Sequence, residues 1–389
     1  MTDTVEHVAE TSAAQEVARA VADMKEYHDF YMNRLYMIVN SAGARGASDI
    51  HILPDDGIWT LTQGRLIKDS APEAVISQEE ILEWMRQPGQ YGAADDHLLE
   101  PTGHISLAFD SGTYRVRGSF RRSTAGISVT FRVIPREIPN ADDVGVPQQI
   151  QELIRRGAGL ILFEGPTGSG KTTAIAALVN KINHELDQHV YLIEDPIEFV
   201  HTPFNNSVFT QREIGVHASD FPSAIENAMR SKPNVIVIGE LLNPATAKAA
   251  LYAATTGHLV ITTAHAGSVT EALDSFIGQF TADEQPQIRS RLSQSLLAIV
   301  VQKLVPAKTG GLTAAREVLI NDRNFQEVIS SGDTTLLHQQ MESSPGSFSL
   351  EDSLIELVRE GKISADTARE SSRKPDTIHD GLARLGVKP

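Results

Sequence analysis

Residues 165–172 read Gly165-Pro166-Thr167-Gly168-Ser169-Gly170-Lys171-Thr172, the G-x-x-x-x-G-K-[ST] spacing of a phosphate-binding loop. Glycines, lacking Cβ, let backbone N–H groups curl around a phosphate chain. Lys171 supplies a point charge for the β and γ phosphates, and Thr172 offers a hydroxyl to Mg2+. A glycine-rich turn without a ligand is the plainer alternative, and the flanks argue against it. Leu160-Ile161-Leu162-Phe163 is a short apolar strand pattern, and 172–183 reads as a helix, so a helix N-terminus faces the anion.

Hydrolysis asks for more than a loop: a metal partner, a group to orient water, and positive charge at the γ phosphate. Val235-Ile236-Val237-Ile238-Gly239-Glu240 is an apolar strand ending in an acid. At the carboxyl end of a parallel strand, Glu240 lies in the crevice where nucleotides bind, placed to hold Mg2+ through water or to orient the attacking water. A helix-capping acid is the alternative. Glu194-Asp195-Pro196-Ile197-Glu198 follows another strand pattern and crowds three carboxylates into five residues. A nearby Mg2+ would offset that repulsion. His258 and His265 bracket a strand over 259–264. An extended run of this length spans roughly 23 Å, so both imidazoles cannot reach one phosphate. His265, at the carboxyl end, is the candidate γ-phosphate sensor, and His258 is read as structural.

The elements that must hold these residues can be traced along the chain. Tyr27, Phe30, Tyr31, Leu35, Ile38 and Val39 recur at helical spacing, strand-like sequence begins over 47–54, 59–67 alternates around Gly64 as a hairpin does, and 78–87 reads as a helix. Tyr114, Val116 and Phe120 alternate with Arg115, Arg117 and Arg121, and Ile127, Val129, Phe131 and Val133 repeat the pattern with Arg132 opposite. Between Ser111 and Arg136 there are six arginines and no acid. That face is either a solvated basic surface or an anion-binding one. Strands are expected at 160–164, 190–195, 234–239 and 259–264 with helices between them, the signature of an α/β domain with a mostly parallel sheet. Residues 268–304 read as helical. Ser349 to Asp352 forms a capping-box pattern for another helix, which Gly361 ends, and Ser364 caps a last short one.

Composition narrows the class. The chain has 389 residues, 34 Lys plus Arg against 50 Asp plus Glu, a net charge of −16, and no cysteine. The length suits two or more domains. An acidic chain is a poor non-specific binder of nucleic acid or anionic lipid. Without cysteine there are no disulfides, iron–sulfur clusters or thiolate zinc sites. No apolar run approaches 18 residues, and the first residues lack the basic-then-apolar form of a secretory signal.

Taken in order, the motifs resemble those of the secretion-superfamily traffic ATPases, in particular the PilT-like branch. Residues Gly165 to Thr173 resemble that family's Walker A, Ile193 to Phe199 its Asp box, Val237 to Glu240 its Walker B, and Thr256 to His265 its His box. Ala47 to His51 and Phe131 to Pro135 are similar to its N-terminal domain, and Ser293 to Leu297 and Gln302 to Leu304 to its C-terminal part. The resemblance implies a leader over 1–25, a PAS-like α+β N-terminal domain over 26–138, a linker over 139–148, a RecA-like P-loop ATPase domain over 149–340, and C-terminal helices over 341–389. It also implies ATP and Mg2+ as ligands, with ATP between the two domains of a six-subunit ring. Family members drive pilus retraction, pilus assembly or secretion. The implied setting is therefore cytoplasmic, docked peripherally on an inner-membrane platform protein, with no nucleic acid. Carried over by motif, Glu240 and Glu198 become the catalytic and magnesium-linked acids, His265 the γ-phosphate histidine, and Arg117 and Arg132 the charge clamp.

Three departures stand out. Leu241-Leu242-Asn243 replaces the Arg-Asp pair that usually follows Walker B, Ala266 replaces a Thr after the second histidine, and Asn321 to Ile329 matches poorly the Arg-containing helix motif of the retraction branch. The absence of cysteine argues against the assembly branch with its four-cysteine zinc insert. A DotB-like ATPase of type IVB secretion or conjugation is the alternative. A RecA-like nucleic-acid motor and an ATP-gated scaffold with little turnover belong to different classes.

Overall fold

In the computed structural model, which describes residues 29–62, 64–69, 71, 74–85, 103–333 and 337–387, the chain divides between Arg136 and Glu137 into two compact units. The expected leader over 1–25 and the end of the 78–87 helix lie outside the described residues.

In the first unit, period-two alternation builds a sheet with one covered face. Helix α1 (29–44) is followed by β1 (Ala47–Leu53), β2 (Gly57–Thr62), β3 (Arg65–Lys68), α2 (Gln78–Met85), β4 (His104–Asp110), β5 (Tyr114–Ser123) and β6 (Gly126–Pro135). The strands lie in the order β3-β2-β1-β6-β5-β4, and every pairing is antiparallel. Val116, Phe120, Val129 and Phe131 pack in one core with Leu35 and Val39 of α1 and Ile81 and Trp84 of α2. The rings of Trp84, Phe109 and Phe120 meet that of Phe131 edge to face at 5.8–5.9 Å between centroids. On the other face, Arg117 and Arg132 are direct cross-strand neighbours.

That arginine face has acidic partners from outside its own segment. The segment 111–136 carries no acid, yet register brings Asp49 of β1 opposite Arg132, and Asp49 Oδ1 accepts from Arg132 Nε at 3.1 Å. Asp110 Oδ2 lies 3.7 Å from Arg136 Nε. The compensating charge comes from neighbouring strands, which linear sequence does not display.

The second unit runs α3 (Gln148–Glu152), β7 (Gly159–Glu164), α4 (Lys171–Glu185), β8 (His189–Glu194), β9 (Val208–Glu213), α5 (Phe221–Arg230), β10 (Val235–Ile238), α6 (Pro244–Thr255), β11 (Leu259–Thr263), α7 (Val269–Gly278), α8 (Gln285–Ser295), β12 (Leu296–Pro306), β13 (Leu312–Ile320), α9 (Arg323–Ser331), α10 (Leu337–Ser343), α11 (Leu350–Arg359), α12 (Ala365–Ser371) and α13 (Pro375–Arg384). The sheet order is β13-β12-β7-β11-β10-β8-β9, parallel throughout except for β13. Both faces are covered, which is why β7 and β10 read as continuous apolar runs. Leu160 and Leu162 face a core shared with α5–α8, while Ile161 and Phe163 face α4. Each such side chain contributes about 1.5–3 kcal/mol by burial. Within the expected linker, Ala141 and Val146 are buried in the second of these cores.

The helix expected over 268–304 is two helices and a strand. Leu296 to Pro306 enters the sheet beside β7 because Ile299, Val300 and Val301 are β-branched and buried, and β-branching favours a pleated surface. Strands β9 and β13 are further elements absent from the sequence reading. The capping box at Ser349 is present, with Asp352 Oδ2 accepting from Ser349 N at 3.0 Å. Ser364 caps α12, but α13 follows it, and these helices pack with Val305 and Ala315 of β12 and β13.

Candidate active site

Strand order places the chemistry. Strands β7, β11, β10 and β8 are successive neighbours, so their carboxyl ends present the phosphate loop, His265, Glu240 and the Glu194–Glu198 segment in one row. His265 Nε2 and Glu240 Oε1 are in direct hydrogen-bond contact. Thr263 Oγ1 donates to Gly239 O at 2.6 Å and Leu241 N to Thr263 O at 2.9 Å, which fixes the backbone between those two side chains. Glu198 is half-buried after β8. Its neighbour Ile197 donates through N–H to Glu213 Oε2 at 3.0 Å. Glu194 Oε2 accepts from Gln211 Nε2 at 3.0 Å, so the crowding of that carboxylate trio is relieved in part by a protein amide rather than by a cation alone. His258 sits at the opposite, amino end of β11, its Nδ1 3.2 Å from Ala253 O. Arg117 and Arg132 belong to the first unit.

The loop has the backbone form that an anion site requires. Gly165, Gly168 and Gly170 have φ of 135°, 77° and 83°, in the region that favours glycine. A Cβ at Gly165 would collide with the carbonyl oxygen of Gln302, whereas one at Gly168 meets nothing within 4 Å. Lys171 is 8% exposed, and its Nζ donates to Gly165 O at 2.6 Å and Pro166 O at 3.1 Å. Burial lowers its pKa, opposed by the charges of Glu164 and Glu240. A buried ammonium held by neutral carbonyls beside an open glycine loop fits a phosphate chain. Thr172, exposed in the first turn of α4, is free to meet a cation. Among the described residues no three acid or histidine side chains converge as a ready-made metal site. Mg2+ is bound chiefly through phosphates, waters and one or two protein oxygens, and the Thr172 hydroxyl is an oxygen of that kind.

Sequence reasoning missed the loop's supports. Gln302 Nε2 donates to Ser169 O at 2.6 Å, and Arg316 Nε donates to Gln302 Oε1 at 2.8 Å. Arg316 also donates to Val144 O at 2.7 Å and to Gly145 O, and burial pulls its pKa down to about 10. Both residues lie on β12 and β13, strands the sequence did not announce. The departures also find local reasons. Leu241 is buried in the core, and Asn243 Oδ1 caps α6 by accepting from Thr246 N at 2.9 Å. Ala266 is buried and donates its N–H to Glu164 Oε2 at 2.9 Å.

Glu164 yields a stability prediction. It is 2% exposed, and burial raises its carboxyl from the ordinary 4.5 to about 7, against the Ala266 hydrogen bond and the Lys171 charge. From pH 4.5 to 7 the folded chain keeps a proton that the unfolded chain has lost. Stability from this group is therefore full below that window and falls as pH rises through it, by about 3 kcal/mol. Urea unfolding at pH 4.5 and 8 should show a larger loss in wild type than in Glu164→Gln, which keeps an acceptor but cannot titrate. Equal losses would sink this assignment.

A parallel-sheet protein with a phosphate loop, and with an acid and a histidine in contact at neighbouring strand ends, is of the nucleotide-hydrolysing P-loop class. The family described as Type II/IV secretion system protein (T2SSE) matches residues 25–343. The type IV pilus ATPase PilU of Pseudomonas aeruginosa is 34% identical over 331 residues, 83% of this chain and 85% of its own. The crystal structure of the pilus retraction motor PilT with bound ADP matches with a TM-score of 0.79 and 30% identity, covering 89% of this chain and 98% of that one. The ATPase DotB of Legionella pneumophila matches with a TM-score of 0.73 and 26% identity, covering 92% and 96%. The chain belongs to the Type II/IV secretion system protein family.

Proposed function

We infer that this chain is a ring-forming ATPase that powers a type IV pilus-type machine, PilT-like and of the retraction type. It is an ATPase: family and fold agree with the site. The observation that carries the reading is the Glu240–His265 contact at adjacent strand ends, on the same sheet edge as the buried Lys171. In this reading Gly165 to Thr173 cradle the phosphates and Lys171 holds the β and γ oxygens. Glu240 orients water and accepts its proton, and His265 senses the γ phosphate. Bound Mg2+ supplies charge neutralisation at the phosphates, with Thr172, Glu198 and Glu240 as the residues to hold it directly or through water. The division into a PAS-like domain over 26–138 and a RecA-like domain over 149–340, joined by 139–148, belongs to the same proposal. So do a hexameric ring and docking on an inner-membrane platform protein at the cytoplasmic face.

A DotB-like role in type IVB secretion or conjugation is the second reading, supported by the DotB likeness. Deleting the gene in its host separates the two. Accumulated, unretracted pili restored by wild type but not by Lys171→Ala support the pilus motor. Normal pili with lost secretion or transfer select the alternative. Light scattering at micromolar concentration with a non-hydrolysable ATP analogue tests the ring, and a strict monomer under every nucleotide condition counts against it.

Arg117 and Arg132 divide this reading from a nucleic-acid motor. In the Arg132–Asp49 pair the arginine is 45% exposed and the carboxylate 13%, so losing the arginine costs about 1–2 kcal/mol of stability, too little to unfold the chain. Arg117→Ala and Arg132→Ala are therefore expected to fold, and to lower ATP turnover by about 10³-fold or less, the charge being shared. DNA affinity at two salt concentrations should be weak and unchanged. Unaltered ATPase with lost DNA binding would revive the nucleic-acid motor.

A further inference from the structure

Three backbone groups just after His265 are held by side chains from three elements. Ala266 N–H donates to Glu164 Oε2 of β7 at 2.9 Å, Gly267 N–H donates to Glu271 Oε2 of α7 at 2.7 Å, and Gly267 O accepts from Arg373 Nη1 at 2.6 Å. The first comes from the strand beside β11 in the sheet and the second from the helix that follows the loop in sequence. The third is 106 residues away in sequence, in the short turn between α12 and α13.

Arg373 is itself held by two buried carboxylates. Its Nη2 pairs with Glu317 of β13, which is 2% exposed. Glu351 of α11, also 2% exposed, accepts at Oε1 from Arg373 N at 2.9 Å, Lys374 N at 3.1 Å and Ser372 Oγ at 3.0 Å. Buried carboxylates are costly unless donors meet them, so these acids define where the turn and its guanidinium lie. The planar fork of arginine serves a carboxylate and a carbonyl together, which a lysine ammonium does poorly. A continuous hydrogen-bonded path thus runs from α11, through the α12–α13 turn, to the peptide two residues beyond His265.

We propose that Arg373 is a positioning residue for His265, tying the C-terminal helices α11–α13 to the loop that carries this histidine, so that the seating of those helices sets its placement against Glu240. The turnover part of this inference rests on the γ-phosphate reading of His265; the mechanical part does not.

The experiment uses the full chain with Arg373→Lys and Arg373→Ala. It measures steady-state ATPase, melting, and hydrogen exchange of a peptide covering 264–268. Arg373→Lys keeps charge opposite Glu317, so its melting should match wild type. Its kcat should fall about tenfold with KM for ATP within about twofold, the pattern of an interaction realised in the transition state. Exchange at Ala266 and Gly267 should speed up by about tenfold as local opening becomes easier. A purely structural ion pair would be rescued by lysine, so wild-type kcat or unaltered exchange in Arg373→Lys overturns the proposal. His265→Ala run alongside keeps the two readings apart. If it leaves turnover intact, the γ-phosphate role fails and exchange alone decides on Arg373. If it abolishes turnover while Arg373→Lys matches wild type, only the present inference falls.

Discussion

Lys171→Ala is expected to lower ATP turnover by about 10³-fold or more while the chain still folds and melts within a few degrees of wild type. The side chain is buried; its ammonium donates to the carbonyls of Gly165 and Pro166 and feels the charges of Glu164 and Glu240, but it belongs to no apolar core cluster. Water entering the open loop can replace those two hydrogen bonds. A carbonyl left without one costs about 1–3 kcal/mol, partly offset because a desolvated charge is also removed. No neutral replacement supplies the positive charge that a triphosphate meets as negative charge moves onto its bridging oxygen. ATP turnover measured beside thermal melting decides the point. Wild-type-like turnover in a folded variant would remove the phosphate-loop assignment.

The sheet edge that carries this site was largely legible in sequence. The reason is local: β7 and β10 are apolar runs closed by Glu164 and by Gly239-Glu240, and buried parallel strands leave that mark. His265 could be preferred over His258 because a strand's length separates its ends, and the two imidazoles do lie at opposite ends of β11. Strand order was not legible. Nothing in the linear chain says that β11 inserts between β7 and β10, which is what brings His265 against Glu240. Strand β12 was hidden because 285–295 is helical and no turn residue interrupts the passage from Ser295 to Leu296. With β12 and β13 went Gln302 and Arg316, whose work on the loop depends on pairing at long range. Asp49 opposite Arg132 was lost for the same reason: cross-strand neighbours are set by register and not by proximity in sequence.

Glu240→Gln should leave ATP bound and cut turnover by about 10²–10⁴-fold, the range for a general base. The amide keeps the shape of the carboxylate but cannot accept the proton of the attacking water. The contact with His265 Nε2 adds a second consequence. A carboxylate can only accept, so it selects the imidazole form that carries hydrogen on Nε2; an amide can offer either an acceptor or a donor and loosens that selection. Glu240 and His265 should therefore act as a unit. The double variant Glu240→Gln, His265→Ala should be little slower than Glu240→Gln alone, as for residues whose losses overlap. Glu198→Gln should instead raise the Mg2+ concentration needed for half-maximal turnover, with a smaller effect at saturating Mg2+, because it lies after β8 and outside the Glu240–His265 contact. The measurements are ATP binding by a fluorescent analogue and turnover across a Mg2+ titration. The reverse pattern between the two glutamates would exchange their roles. Full additivity of Glu240→Gln and His265→Ala would mean that their contact does not operate in the transition state, and unchanged turnover in both glutamate variants would remove this edge of the sheet as the seat of hydrolysis.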